Sequence, residues 1–203
     1  GFILPNKNAA AQRVIANAKI FRELGYEVSL VGMTHDDQGL ESFVYEGFQC
    51  VNLPYPKRLG EWWRMLASIR QYLPYYNKET TIVIAYNHPA IALKRLLMYN
   101  RKRGILTLSD CTEWYEPQGR WLFRKIKGWD VHQRMNKVHC QLDGVITISR
   151  YLDDYYKELG VNTLQLPPLV DKNEKKWKMS KKGTRNTVKI IYAGSPGGTK
   201  DRL

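Results

Sequence analysis

The stretch TIVIAYNHPAIALKRLLMYNRKRGILTLSD, residues 81–110, decides the fold. It opens with TIVIAY (81–86), an apolar, β-branched run of the kind a buried parallel strand presents. Residues 89–102 follow with helical spacing of apolar positions, and ILTLSD (105–110) returns to a strand pattern. Strand, helix and strand in this order make a parallel βαβ unit.

The same alternation extends in both directions. Upstream, AAAQRVIANAKIFREL (9–24) places Val14, Ile15, Ala18, Phe21 and Leu24 on one helical face, with Gly25 as the stop. YEVSLVGM (26–33) reads as a strand, FVYEGFQCVNL (43–53) as an extended region ending at Pro54, and KRLGEWWRMLASIRQYL (57–73) as a helix. Downstream come a long basic helical stretch at 118–142, a strand VITIS (145–149), a helix over 150–159, and then NTLQLPPLV. The expectation is an α/β fold built on a parallel sheet, with right-handed crossovers setting helices on both faces. The chain begins at GFILP without Met, which predicts that a strand, or all but its end, lies upstream.

A composition break follows Asp171. KNEKKWKMSKKGTRN is polar and lysine-rich, as a solvated linker is. VKIIYAGSPGGTKD then reads as a buried strand entering a glycine-rich loop. The predicted division is an N-terminal domain over 1–171, a basic linker over 172–187, and the start of a second α/β domain over 188–203.

The formal net charge is +13, from 32 Lys and Arg against 19 Asp and Glu, which favours anionic partners: nucleic acid, anionic lipid or phosphorylated substrates. Cys50, Cys111 and Cys140 are widely spaced and odd in number, which excludes a disulfide framework and a C-x-x-C zinc site. They read as reduced thiols of a cytosolic protein. No apolar run approaches the ~20 residues that span a bilayer.

Ligands of parallel α/β sheets bind beyond the carboxyl ends of the strands, and that rule selects the candidate residues. The loop from Gly1 to Asn8 precedes a helix N-terminus, able either to receive a phosphate or to be capped by Asn8. Asn87 and His88 follow TIVIAY. His88 suits acid–base work or a substrate hydroxyl, or else a structural hydrogen bond. Asp110 and Glu113 follow the next strand; a carboxylate there can orient sugar hydroxyls or take a proton, and Glu113 can equally complement a helix dipole. Ser149 reads as a helix N-cap, with Arg150 beside it as a phosphate ligand. Gly194-Ser195-Pro196-Gly197-Gly198-Thr199-Lys200 resembles a phosphate-cradling loop without the spacing of a Walker or dinucleotide motif.

Two helices mix aromatic and basic residues. One carries Leu59, Trp62, Trp63, Leu66, Ile69 and Leu73 with Lys57, Arg58, Arg64 and Arg70. The other carries Trp121, Leu122, Phe123, Ile126 and Trp129 with Arg120, Arg124, Lys125 and Lys127. Each is either a core-facing helix with a solvated basic side, or an interfacial helix on an anionic membrane surface.

P-x(3)-A-A-A-Q-R from Pro5 to Arg13, LGYEVSLVG from Leu24 to Gly32, VITISRYLDDYYKELGVNTLQLPPLVD and IIYAGSPGGTKD together resemble bacterial glycosyltransferases of the GT-B fold, family four, closest to those of capsular and other cell-surface polysaccharide synthesis. The resemblance implies two Rossmann-like domains facing a cleft: an acceptor side here, and a donor side that binds a nucleotide sugar, without metal or other cofactor. It implies transfer with retention onto a saccharide acceptor, lipid-linked on this reading, by a cytoplasmic protein that can lie on the inner face of the cell membrane. Gly1, Gly194 and Lys200 would face the donor phosphates. His88 and Asp110 would line the acceptor cleft as the catalytic pair, with Asn8, Asn87, Glu113 and Arg150 binding acceptor. Many family members carry His where Asp110 stands and Arg where Ser195 stands. The part considered alone is expected to be inactive. The competing readings are a non-catalytic scaffold docking on membrane or partner, and a basic nucleic-acid-binding module. The second lacks any recognisable RNA-binding motif, so no nucleic acid is expected as a partner.

Overall fold

The computed structural model describes residues 2–5, 8–35, 42–114 and 120–170. All belong to one compact unit that ends at Val170. Gly1, the linker expected at 172–187, and the strand and loop expected at 188–203 with Gly194 and Lys200 lie outside the described residues.

Helix α1 (Ala9–Glu23) starts where the Asn8 side chain accepts the Ala11 N–H at 2.8 Å. It stops just ahead of Gly25, as the sequence predicts. Strand β1 (Ser29–Thr34) follows. The region read as one extended segment at 43–53 is two strands, β2 (Ser42–Tyr45) and β3 (Phe48–Pro54), paired antiparallel. Glu46 and Gly47 between them both have positive φ, 52° and 79°, the geometry of a tight two-residue hairpin turn. β3 pairs parallel to β1, giving the order β1-β3-β2.

Helix α2 (Leu59–Ala67) is shorter than the predicted 57–73; one 3₁₀ turn at Leu73–Tyr75 follows separately. Then β4 (Ile82–Tyr86), α3 (Ala90–Arg101), β5 (Leu106–Cys111), α4 (Trp121–Gln133), β6 (Gly144–Thr147), α5 (Arg150–Glu158) and β7 (Thr163–Gln165) complete the unit. The sequence pattern gave no structure to 163–165, which pairs with β6 as a fourth strand. The helix expected over 118–142 is regular only to Gln133. A wide turn over Arg134–Val138 and a 3₁₀ turn at His139–Gln141 continue it, and the winding changes where the chain turns inward: Arg134, Met135, Val138 and His139 are buried.

β4-β5-β6-β7 is an all-parallel sheet flanked by helices, and the fold is Rossmann-like α/β. Residues 2–4 lie between the two sheets. The Phe2 carbonyl accepts the Met33 N–H of β1 at 2.8 Å, and the Phe2 ring meets Tyr86 of β4 edge-on at 6.1 Å. Asn52 of β3 holds the backbone of Leu4 from both sides, donating to its carbonyl and facing its N–H. Gly32 is required here: a Cβ would stand 2.6 Å from Asn52 Oδ1 and 2.9 Å from the Phe2 carbonyl.

Three apolar clusters hold the layers. One packs Phe2, Leu4, Ala11, Ile15, Ala18, Leu30 and Phe48 under α1. A second packs α3, through Leu93, Leu96 and Leu97, on Ala85 of β4. The third gathers Cys111, Val131, Met135, Val145, Leu152 and Tyr156 beneath α5. At about 25 cal/mol per Å² of apolar area, each fully buried Leu or Phe contributes roughly 1.5–3 kcal/mol.

Candidate functional site

The parallel strands bring the exits of β4, β5, β6 and β7 to one edge, where the sequence placed its candidates. The exits of β4 and β5 are joined directly. Asn87 Nδ2 donates to Thr112 Oγ1 at 2.8 Å, and the Asn87 N–H donates to the Asp110 carbonyl at 3.3 Å. Asn87 holds φ at 43°, a left-handed conformation that a non-glycine residue adopts at a cost. These two bonds help to hold it there.

His88 follows. Its ring meets Tyr72 edge-on at 5.1 Å, and its Nε2 is buried with no hydrogen-bond partner among the described residues. Desolvation first, and the positive charge of Arg134 with it, push its pKa down to about 4. The imidazole is therefore neutral at pH 7. A base that weak favours the hydroxyl-holding or structural alternatives over proton removal.

Asp110 does not line an open edge. Its carboxylate is buried and fully engaged. Arg13 of α1 bonds it through Nε at 3.0 Å to each oxygen and through Nη2 at 2.7 Å, and Asn17 Nδ2 donates to it at 3.2 Å. Arg13 Nη1 also donates to the Leu166 carbonyl, just past β7, at 2.8 Å. Burial pushes the Asp110 carboxyl up, while the bonds from Arg13 and Asn17 pull it down. Through Arg13 and Asn17, Asp110 ties α1, β5 and the β7 exit together.

The other candidates are less closely joined. Asn8 caps α1 with an exposed side chain. Glu113 is exposed at the β5 exit, beside Trp114, whose ring packs on Tyr155 of α5 at 4.9 Å. Ser149 caps α5, accepting the Leu152 N–H, as expected. Arg150 has an 85% exposed side chain and pairs with Asp154 of its own helix at 3.5 Å, so the structure does not bring it to Asn87 or His88.

Arg13, Asn17 and Thr112 were not singled out by the sequence reading. A signal for the first two existed: Asp110 ends an apolar strand, and a carboxylate there requires a buried cation. Arg13 and Asn17 stand four apart on the helix that begins at the same edge.

A second polar chain runs through the core. Ser109 Oγ lies 3.0 Å from His139 Nε2, and His139 Nδ1 lies 2.6 Å from the Tyr156 hydroxyl. A serine, a histidine and a third group in line invite a nucleophilic reading. The three residues are 0%, 1% and 0% exposed, so no substrate reaches them. Desolvation pushes His139 down to about 3 and it stays neutral. The chain satisfies buried polar groups and fixes the side-chain packing.

Cys50, Cys111 and Cys140 are free thiols, and burial raises all three pKa values, that of Cys111 to about 11, which makes them unreactive. Among the described residues no group of three or more His, Cys, Asp or Glu is placed to hold a metal ion, and no helix is long and apolar enough to cross a membrane. No family model, curated protein or solved structure matches the chain.

Proposed function

We propose that the chain forms the acceptor side of a retaining GT-B-type glycosyltransferase, moving a sugar from a nucleotide sugar to a lipid-linked saccharide. One observation carries the reading. At the exit of a parallel sheet, Asn87 is held in a left-handed conformation beside a histidine whose buried Nε2 meets no hydrogen-bond partner among the described residues. Strain and an unsatisfied buried polar atom together mark a site kept for a ligand rather than for stability. The sequence resemblance supplies the reaction class.

On this reading the acceptor hydroxyl attacks the anomeric carbon as the bond to the leaving diphosphate breaks, and the hydroxyl proton passes to the departing phosphate oxygen. Neutral His88 backs the acceptor cleft, with Asn87 and Glu113 binding the acceptor hydroxyls and orienting them. Asp110 acts through Arg13, holding α1 and its N-terminal loop against the sheet. Gly1, Gly194 and Lys200 would meet the donor phosphates.

The test incubates the full-length gene product with bacterial membranes and a panel of radiolabelled nucleotide sugars, and counts label in the lipid fraction. Label from one donor, lost on His88→Ala or Asn87→Ala with the urea midpoint kept, supports transfer. Absence of label from every donor with competent membranes points to a non-catalytic docking scaffold, a reading favoured by the complete engagement of Asp110.

A further inference from the structure

We infer that α2 and α4 dock the protein on an anionic lipid bilayer. Trp63 of α2 and Trp121, Phe123 and Trp129 of α4 are exposed, while Trp62 packs edge-on against Tyr55 at 5.3 Å. α2 has no buried residue; Leu59 is 82% and Trp63 63% exposed. Every residue from Trp121 to Lys127 is exposed, so the first two turns of α4 stand clear of the protein, and of the whole helix only Val131 is buried. The first half of α4 gives no support to the core-facing alternative, and α2 meets the protein only through half-buried residues such as Trp62, Met65 and Leu66.

α4 is laid out for an interface. Leu122, Ile126 and Trp129 fall on one stripe at spacings of four and three, flanked by Trp121 and Phe123. Arg120, Arg124 and Lys127 fall on the other side. Lys125 Nζ lies 4.2 Å over the Trp121 ring and Lys127 Nζ 4.8 Å over Phe123, so positive charge sits directly against the exposed aromatic faces. The segment 120–127 has four cations and no carboxylate. α2 adds Lys57, Arg58 and Arg64, and its one acid, Glu61, is engaged by the Lys57 and Arg58 N–H groups at 2.9 and 3.2 Å.

Both helices lie against α3: Arg95 of α3 bonds the Ala67 carbonyl that ends α2, and the Ala90 N–H that starts α3 is met by Asp130 of α4. Apolar stripes edged by an excess of positive charge fit a fluid apolar layer under a negative surface, which requires no matching groove. Charge complementarity selects this occupant over a second copy, because two copies of a +13 chain repel.

The experiment is co-sedimentation of the 203-residue chain with phosphatidylglycerol–phosphatidylcholine vesicles and with phosphatidylcholine alone, at low and high salt. It needs no donor or turnover, so its failure is separate from failure of the transfer reading. Binding is expected to the anionic vesicles only, weakening with salt. Leu122→Ser/Ile126→Ser should lower partitioning about tenfold. Arg124→Gln/Lys127→Gln should lower it roughly 30-fold at low salt. These side chains are exposed, and an unchanged urea midpoint shows that the variants fold. The inference is overturned if the wild-type chain ignores anionic vesicles at low salt, or if both variants bind as wild type does. It is also overturned if sedimentation velocity without lipid finds a dimer that Leu122→Ser/Ile126→Ser disperses.

Discussion

Consider the change Asp110→Asn. It removes one charge from a pair whose side chains are 5% and 3% exposed, and leaves the Arg13 guanidinium buried without its counter-ion. Two unit charges about 4 Å apart attract by about 4 kcal/mol at an effective dielectric constant of about 20. Loss of one partner from a buried pair typically costs about 3–5 kcal/mol. For a domain of this size that lowers the melting temperature by roughly 6–20 °C. The double change Arg13→Met/Asp110→Leu removes both charges. It leaves the Leu166 carbonyl and the Asn17 amide without their partners, at about 1 kcal/mol each, so it should cost about 2 kcal/mol, less than the single change. Urea unfolding at pH 7 followed by circular dichroism measures all three chains. A loss below about 1 kcal/mol for Asp110→Asn would mean a pair that behaves as a surface pair, and would sink the positioning role. A double variant as unstable as Asp110→Asn, or more so, would do the same. For the transfer proposed above, loss of label in an Asp110 variant would report the integrity of the fold, so His88 and Asn87 are the residues that test the proposed chemistry.

Acid should destabilise the protein earlier than its carboxylates require. His139 binds its proton only near pH 3, against 6.5 in the open chain, so between those values the unfolded state holds more protons and stability falls as pH drops. The slope is up to about 1.4 kcal/mol per pH unit for this residue, and His88 adds to it down to about pH 4. Urea midpoints from pH 7 to 4 measure it; His139→Gln should be less stable at pH 7 yet show a flatter slope, and an unchanged slope would contradict the assignment. Gly32→Ala drives a methyl group against Asn52 and the Phe2 carbonyl and should cost about 1–3 kcal/mol, read by thermal melting; a neutral outcome would mean that residues 2–4 do not occupy the seam.

The alternation of strands and helices was legible because buried parallel strands are written as apolar, β-branched runs. The β2–β3 hairpin was missed because Glu46 is not a usual left-handed residue, and YEGF reads as continuous with its flanks. α2 ends early because Ser68 adopts an extended conformation, φ −101° and ψ 146°, although the apolar spacing runs on to Leu73. The face predicted for α1 was half right. Ile15 and Ala18 are buried, but Leu24 is exposed, and Arg13 and Asn17 take inward positions. A single sequence marks such residues as surface, since only the partner across the fold, Asp110, makes their burial tolerable. The edge that gathers the candidates followed from topology alone. Which of them meet did not, because that depends on side chains reaching between α1, β5 and the β7 exit.

The placement of residues 2–4 has a consequence for how the molecule is assembled. Phe2 makes its contacts with Met33 and with Tyr86, so the two sheets cannot close over their common seam until synthesis has passed β4. The contact order of the seam is high, and its formation should come late in folding, after each sheet has formed around its local neighbours. In the finished protein the same seam is the natural line of partial opening, so the Met33 amide should exchange with solvent faster than the amides inside β5 and β6.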